Sequence, residues 1–358
     1  MTDSEKHTEQ YFKKFFLPQY TFGTVMILEG KQERELCDCL IETSNCYVVI
    51  QIKEKNENKD SSNDEENWFK NKILNIAKKQ IKRTIRDLKK ENAIYYCDEG
   101  QITIDKTKEI LPVIVFFNDY LTNYDKLYYS EELKSYINIF NKPDYKTMLD
   151  TIKVPMDIVG YLKCRSTFVP ENGECRYILD DFAISLCENE EDFAEYYLKS
   201  TYYDHDISIE KIVLFNEILA DLNKDFNNSR NSLIETLLML NTPEIAQVTD
   251  LYAKTIQNIN NPKIAKPKLL TNDKEGIMFI RRPRGMKDIE FNNFLSDMCT
   301  YYAYTAKLEK CSAIIFEPSG NEHFIIKGAL CTHNYFENNK RFEKTSTEID
   351  SVLWGAEY

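Results

Sequence analysis

Apolar and polar positions fall into sharp patterns over the first 120 residues. A helix is expected over residues 4–17, with Ser4 as its cap and Phe12, Phe15 and Phe16 on the apolar side. Residues 20–34 read as extended and then polar, ending in a turn that leads into a strand. Two buried strands are expected over 35–41 and 48–53, around a polar break at 43–45. Side chains of a strand alternate between its faces, so Tyr47, Val49, Gln51 and Lys53 share one face, and Val48, Ile50 and Ile52 the other. Residues 54–67 have almost no apolar content and predict a loop. From Trp68 to about Lys90, Leu74, Ala77, Ile81, Ile85 and Leu88 recur at helical spacing and predict one buried stripe. Further strands are expected over 93–97, 101–104 and 111–117.

The rest of the chain reads as architecture. Residues 119–140 are acidic and aromatic and are expected to be helical. Helices follow at 155–163, 190–199, 207–222 and 232–240. Residues 258–268 are rich in Pro, Asn and basic side chains and predict a linker. Beyond it come a strand at 276–280, a helix at 288–308 and strands at 312–316 and 324–328. The expectation is an α/β fold, α+β overall, in three domains: 1–120 with a mixed sheet flanked by helices, 121–262 mostly helical, and 263–358 a small α/β unit.

Composition narrows the classes of function. A chain of 358 residues with 42% hydrophobic and 13% aromatic content buries sizeable cores. No apolar run reaches the length of a bilayer span, and residues 1–6 are too polar for a signal peptide, so a cytoplasmic location and no membrane partner are expected. The ten cysteines include no Cys-x-x-Cys and the four histidines are dispersed, which favours buried thiols over a zinc site. Phosphate-binding loops of the Gly-x-x-x-x-Gly-Lys-Ser/Thr type, Gly-x-Gly-x-x-Gly, Gly-x-Ser-x-Gly and His-Glu-x-x-His are all missing. A net charge of −12 argues against coating nucleic acid through bulk charge. Between Lys70 and Lys90, however, nine basic residues face the single acid Asp87. They form either a solvated helix face or a surface for phosphates. Arg281, Arg282 and Arg284 at a strand end allow the same two readings. The polar cluster of Tyr203, Asp204, His205 and Asp206 reads as a helix cap at Asp206.

Polar residues inside the paired strands call for a reason. Burying Asp38, Gln51 and Lys53 together costs several kcal/mol unless they satisfy one another or an ion. Glu35, three residues before Asp38, faces the other way in an ideal strand, and only a bulge or the strand start brings the two acids together.

Asp38 followed by Gln51-x-Lys53 on an apolar strand resembles the catalytic hairpin of the PD-(D/E)XK nuclease superfamily in a Gln-x-Lys variant, most similar to NERD-type and Mrr-type restriction-endonuclease-like domains. The resemblance spans the first third of the chain, from the helix carrying Glu9 to the helix carrying Gln80. It implies a restriction-endonuclease-like core and a Mg²⁺- or Mn²⁺-dependent nuclease acting on nucleic acid, with DNA the implied substrate and defence against foreign DNA the implied role, although the spacing itself does not separate DNA from RNA. The implied catalytic residues are Asp38, Gln51, Lys53, Glu35 and Glu9. The metal would be held by Asp38 with Glu9 or Glu35 and by Gln51 or the Ile52 carbonyl. Gln80, Lys79, Arg83 and Arg86 are the implied substrate contacts. A homodimer, or a partner protein of a defence system, follows from the same resemblance. Gln51 stands where the commoner pattern has an acid, so a catalytically silent binding module on the same fold is the alternative.

Overall fold

A computed structural model of the chain describes residues 2–55, 64–167, 169, 176–179, 184–187, 189–202, 209–227, 229–256, 268–271, 275–319 and 323–332. The fold is α/β, and the chain divides into two compact units, Met1–His205 and Asp206–Tyr358. The sequence pattern instead suggested breaks near 120 and 262. Most of the expected polar loop over 54–67, the Tyr203–Asp206 cluster and most of the 258–268 linker lie outside the described residues.

In the first unit, α1 (Asp3–Phe16) starts at Thr2 rather than Ser4. The Thr2 hydroxyl accepts from the Glu5 N–H, and the Glu5 carboxylate accepts from the Thr2 N–H. Strands β1 (Thr21–Glu29), β2 (Gln32–Glu42) and β3 (Cys46–Glu54) form an antiparallel meander. The segment expected only to lead into a strand thus contributes one of its own. Ser4 donates to Glu54, tying the first turn of α1 to the end of β3 at 2.9 Å.

The chain then leaves the sheet through α2 (Glu65–Phe69), a π-helical run over Lys70–Ala77, and α3 (Lys78–Leu88). Phe69, Ile73, Ala77, Ile81 and Ile85 are buried at intervals of four. An α turn takes 3.6 residues and a π turn more than four. A four-residue interval therefore drifts one way around the π run and back around α3, and a single buried stripe is kept. The hairpin β4 (Ile94–Cys97) and β5 (Gly100–Ile102) follows, and β6 (Glu109–Phe117) runs parallel to β3.

Residues 119–140, expected to be helical, instead supply β7 (Leu127–Ser130) and β8 (Ser135–Asn141). The acids Glu131 and Glu132 sit in the turn between them, and the flanking segments are rich in Tyr, with Ile and Phe in the second, which favours strands. The sheet order is β5-β4-β1-β2-β3-β6-β8-β7, with β3, β6 and β8 mutually parallel. Val48, Ile50 and Ile52 pack into a core with α1, α4 (Lys142–Ile152), α5 (Pro155–Cys164) and α6 (Glu190–Thr201). Tyr47 and Val49 pack into the other core, beneath α2 and α3. Strands β9 (Arg176–Leu179) and β10 (Ile184–Cys187) form a separate antiparallel pair.

A buried ion pair joins the elements on the α1 side. Arg165, fully buried, donates to both Glu190 oxygens at 2.9 and 2.7 Å and to the Lys126 carbonyl at 2.7 Å. Its guanidinium lies 4.0 Å from the Phe140 ring centre, and the Tyr161 hydroxyl donates to Glu190 at 2.5 Å.

The second unit contains α7 (Ile209–Asp225), α8 (Ser232–Leu238) and α9 (Thr242–Ile256). They are followed by β11 (Lys268–Thr271), β12 (Glu275–Arg281), α10 (Asp288–Thr305), β13 (Lys310–Ser319) and β14 (His323–Thr332). The strands stand in that order, and β12 and β13, linked through α10, are parallel. Met278, Ile280, Phe291, Leu295 and Met298 fill the core beneath α10. Gly328 is the one residue that fits its position on β14, because a Cβ there would meet the Phe226 ring at 2.3 Å. Arg282 is held by Glu317 at 2.6 Å and Asp288 at 2.5 Å, so this arginine serves the fold.

Glu190→Gln leaves the buried Arg165 charge without its carboxylate, and Arg165→Met leaves buried Glu190 facing Lys126 at 3.8 Å without its two guanidinium hydrogen bonds. Arg165→Met or Glu190→Gln is expected to lower unfolding free energy by about 3–5 kcal/mol. Urea denaturation at neutral pH measures it, and a loss below about 1 kcal/mol would remove this pair from the account of stability.

Candidate functional site

The site begins where two strands part. The β2–β3 ladder ends at the pair Cys39–Ile50, beyond which β2 stays with β1 and β3 with β6. The Ile52 N–H is left without a β2 carbonyl, and a buried N–H needs an acceptor. Asp38 supplies it: its Oδ2 accepts the Ile52 N–H at 2.5 Å and also the Gln51 side-chain amide. Lys53 Nζ donates to the Ile52 carbonyl at 2.7 Å. The Ile52 residue is thus gripped at both its N–H and its carbonyl by side chains of the expected site. Asp38 and Gln51 are 3% and 1% exposed.

Glu35 approaches them through a bulge, one of the two routes its spacing allows. The β1–β2 register steps from Val25–Cys37 to Met26–Glu35, leaving Leu36 as an extra residue in β2. The Glu35 carboxyl, itself exposed, then lies near enough to Asp38 to push that carboxyl up. The bulge also frees backbone carbonyls, and α3 takes them up. The Thr84 hydroxyl donates to the Leu36 carbonyl, and Arg83 Nη2 lies 3.5 Å from the Glu35 carbonyl.

Burial pushes the Asp38 carboxyl up to about 7; Lys53 and the Ile52 N–H act against that rise, and Glu35 adds to it. Near neutral pH this carboxyl still holds a proton part of the time. A divalent cation could take the place of that proton, with Asp38 and Glu35 as hard oxygen ligands and the Ile52 carbonyl beside them. Among the described residues no group of three or more His, Cys, Asp or Glu is placed to hold a metal ion, so any ion here would rest on two carboxylates completed by amide or carbonyl oxygens. On that donor set the residues fit one oxygen-liganded divalent ion.

The other expected residues fall elsewhere. Glu9 stands on α1 beside Gly23 and pairs with Lys13 at 2.5 Å, at a groove of about 310 Å³ that Asp98 and Glu99 also line. It belongs to the α1 side of the sheet, whereas alternation turns Gln51 and Lys53 to the α3 side. Gln80 lies one turn before Thr84, and its amide oxygen is buried without a hydrogen-bond partner. Lys79 and Arg86 are exposed on α3. Two contributors were not anticipated from sequence. Thr84 is a hydroxyl on the apolar stripe. Asp87, the lone acid of the basic helix, is fully buried and takes Arg34 at 2.7 Å and Lys90 at 3.1 Å. A polar residue inside an apolar stripe was the available signal for both.

Comparison of the chain with protein-family models, with curated proteins and with solved structures finds no match. Among the described residues, no helix is long and apolar enough to cross a membrane.

The folded chain holds the Asp38 proton more tightly than the unfolded chain, whose aspartate titrates near about 3.9. Raising pH from about 4 to about 7 therefore shifts the balance toward unfolding. Asp38→Asn abolishes this contribution. Urea titrations at pH 5 and pH 8 should show wild type losing stability relative to the variant at the higher pH, and parallel behaviour would contradict the raised Asp38 value.

Proposed function

We propose that this protein is a divalent-metal-dependent nuclease that hydrolyses phosphodiester bonds of nucleic acid, DNA in the first instance, at the cluster built on Asp38 and Lys53. The observation that carries this reading is the meeting of Asp38, Glu35, Gln51 and Lys53 around the Ile52 peptide where β2 and β3 part. The order of elements supports it: a helix, three antiparallel strands, a helical crossover and a strand parallel to the third, in a mixed sheet between helices. That is the order implied by the resemblance to PD-(D/E)XK nucleases.

Mg²⁺ or Mn²⁺ bound there would supply Lewis-acid chemistry and an activated water. Asp38 and Glu35 would hold it, with Gln51 or the Ile52 carbonyl completing the set. The Lys53 ammonium orients the attacking water and offsets the charge that develops on the phosphate in the transition state. Gln80 and the exposed cations Lys79 and Arg86, with Arg83, lie on the helix that caps the bulge, where a substrate strand would pass. The eight cysteines described are free thiols, which suits a reducing cytoplasm. A homodimer would bring two such sites to opposite DNA strands, and defence against foreign DNA is the role the resemblance suggests.

One observation favours a second reading. Gln51 turns its amide NH₂ to Asp38, so the oxygen that would face an ion is already engaged by two donors. A catalytically silent module that binds nucleic acid or a protein partner would retain this arrangement.

Plasmid cleavage separates the two. With Mg²⁺ or Mn²⁺, wild type should nick or linearise DNA, and Lys53→Ala should slow this by about 100-fold or more with an unchanged circular dichroism spectrum. Folded wild type that leaves both DNA and RNA intact with either ion rejects the enzyme and leaves the binding module. Gln51→Glu adds a third carboxyl beside Asp38 and Glu35. Its Tm at pH 7 should fall without divalent ions and recover when Mg²⁺ or Mn²⁺ is added; no response to either ion speaks against a cation site.

A further inference from the structure

Many lysines of the first unit are matched with acids. On α3, Lys82 lies 3.0 Å from Glu132, and Lys90 lies 2.5 Å from Glu29. Among those that are not, three gather in one place. Lys14, near the end of α1, and Lys142 and Lys146, in the first turns of α4, converge on two aromatic rings. Lys14 and Lys146 stand 4.6 and 5.2 Å from the centre of the Tyr11 ring, and Lys142 stands 5.5 Å from that of Phe117. No ion pair is found for these three among the described residues. Asp150, one turn after Lys146, instead accepts the Tyr11 hydroxyl at 2.5 Å.

His7 lies within the same cluster, stacked on Tyr11 at 6.1 Å and edge-on to Phe117 at 6.2 Å. Its Nε2 is buried without a hydrogen-bond partner. Burial, and then the fields of Lys142, Lys146 and Lys14, hold its imidazole below the ordinary value. Three ammonium groups that all act on one imidazole repel one another, and ring faces offset only part of that repulsion. An anion placed among them would relieve it.

The position of the cluster indicates which anion. Phe117 ends β6 and pairs with Glu54 at the end of β3, while the Lys55 N–H donates to the Phe117 carbonyl at 2.9 Å. The cluster therefore lies at the same end of the β3–β6 pair as Lys53, and α/β sheets hold ligands beyond the carboxyl ends of their strands. We propose that His7, Lys14, Lys142 and Lys146 form a second binding surface for the phosphates of a nucleic-acid backbone, built by α1 and α4 and separate from the side chains of α3. The choice of nucleic acid rests on the nuclease reading; binding itself requires neither Asp38 nor Lys53.

The test uses the full chain and fluorescence anisotropy with labelled single- and double-stranded DNA and RNA oligonucleotides across a range of salt. The triple variant Lys14→Gln/Lys142→Gln/Lys146→Gln should weaken binding about 10-fold near 100 mM salt. It should also reduce the slope of log affinity against log salt by about 2–3, because each lysine lost leaves roughly one phosphate unneutralised. A control with the same change in net charge, Lys134→Gln/Lys163→Gln/Lys199→Gln, removes lysines already paired with surface glutamates and should leave the slope unchanged. Asp38→Asn should abolish cleavage and retain binding, so a silent active site and a wrong binding surface give different results. The proposal is overturned if the α1–α4 variant folds and keeps the wild-type slope, if the control loses as much, or if wild type binds no oligonucleotide. Saturation by millimolar inorganic phosphate without oligonucleotide binding assigns the cluster to free phosphate and overturns it as well.

Discussion

A buried peptide N–H that has lost its strand partner must find another acceptor, and the first unit is arranged around one such group. Leaving the Ile52 N–H unsatisfied would cost about 1–3 kcal/mol. Asp38 removes that cost, and its own burial is the consequence. From there the chemistry of the site follows. A carboxyl withdrawn from water titrates high, a second carboxyl beside it raises it further, and a lysine held at the adjoining carbonyl works against both.

Two cores keep this geometry in place from opposite sides. Ile50 and Ile52 pack toward α1, and Val49 and Tyr47 pack toward α3, so β3 can neither slip nor turn without exposing one of its faces. The Leu36 bulge is fixed by α3, whose Thr84 and Arg83 answer the carbonyls that the bulge releases. A helix that resembles a cationic surface in sequence is, on its inner side, the clamp that delivers Glu35 to Asp38. The clamp is anchored by Asp87, which draws Arg34 of β2 and Lys90 of the helix end onto one buried carboxylate.

Much of the first unit was legible in the sequence because its periodicities are strong. Alternation in β3 places Gln51 and Lys53 on one face, and of the two ways the spacing of Glu35 and Asp38 leaves open, a bulge or the strand start, the bulge is present. Residues 119–140 read as helical because their acids mask the Tyr, Ile and Phe positions that build β7 and β8. Glu9 was grouped with the site on the strength of a resemblance. Its position on α1 follows from Phe12 and Phe16, which carry that helix to the far side of the sheet. The part played by Thr84 depends on which carbonyls a bulge frees, a three-dimensional matter that local pattern does not encode.

The eight-residue π-helical run has a consequence for how this protein can change over evolutionary time. A wide turn accommodates a surplus residue that an α-helix would have to expel, so the run behaves like an absorbed insertion. Deleting one residue within it would tighten the coil and swing everything before it by roughly a quarter turn relative to the sheet. Trp68 and Phe69 would leave their seats beside Phe116 while Thr84 kept its grip on Leu36. Length variation in this segment is therefore a dial on the angular phase between the entry to the helix and the clamp at its end.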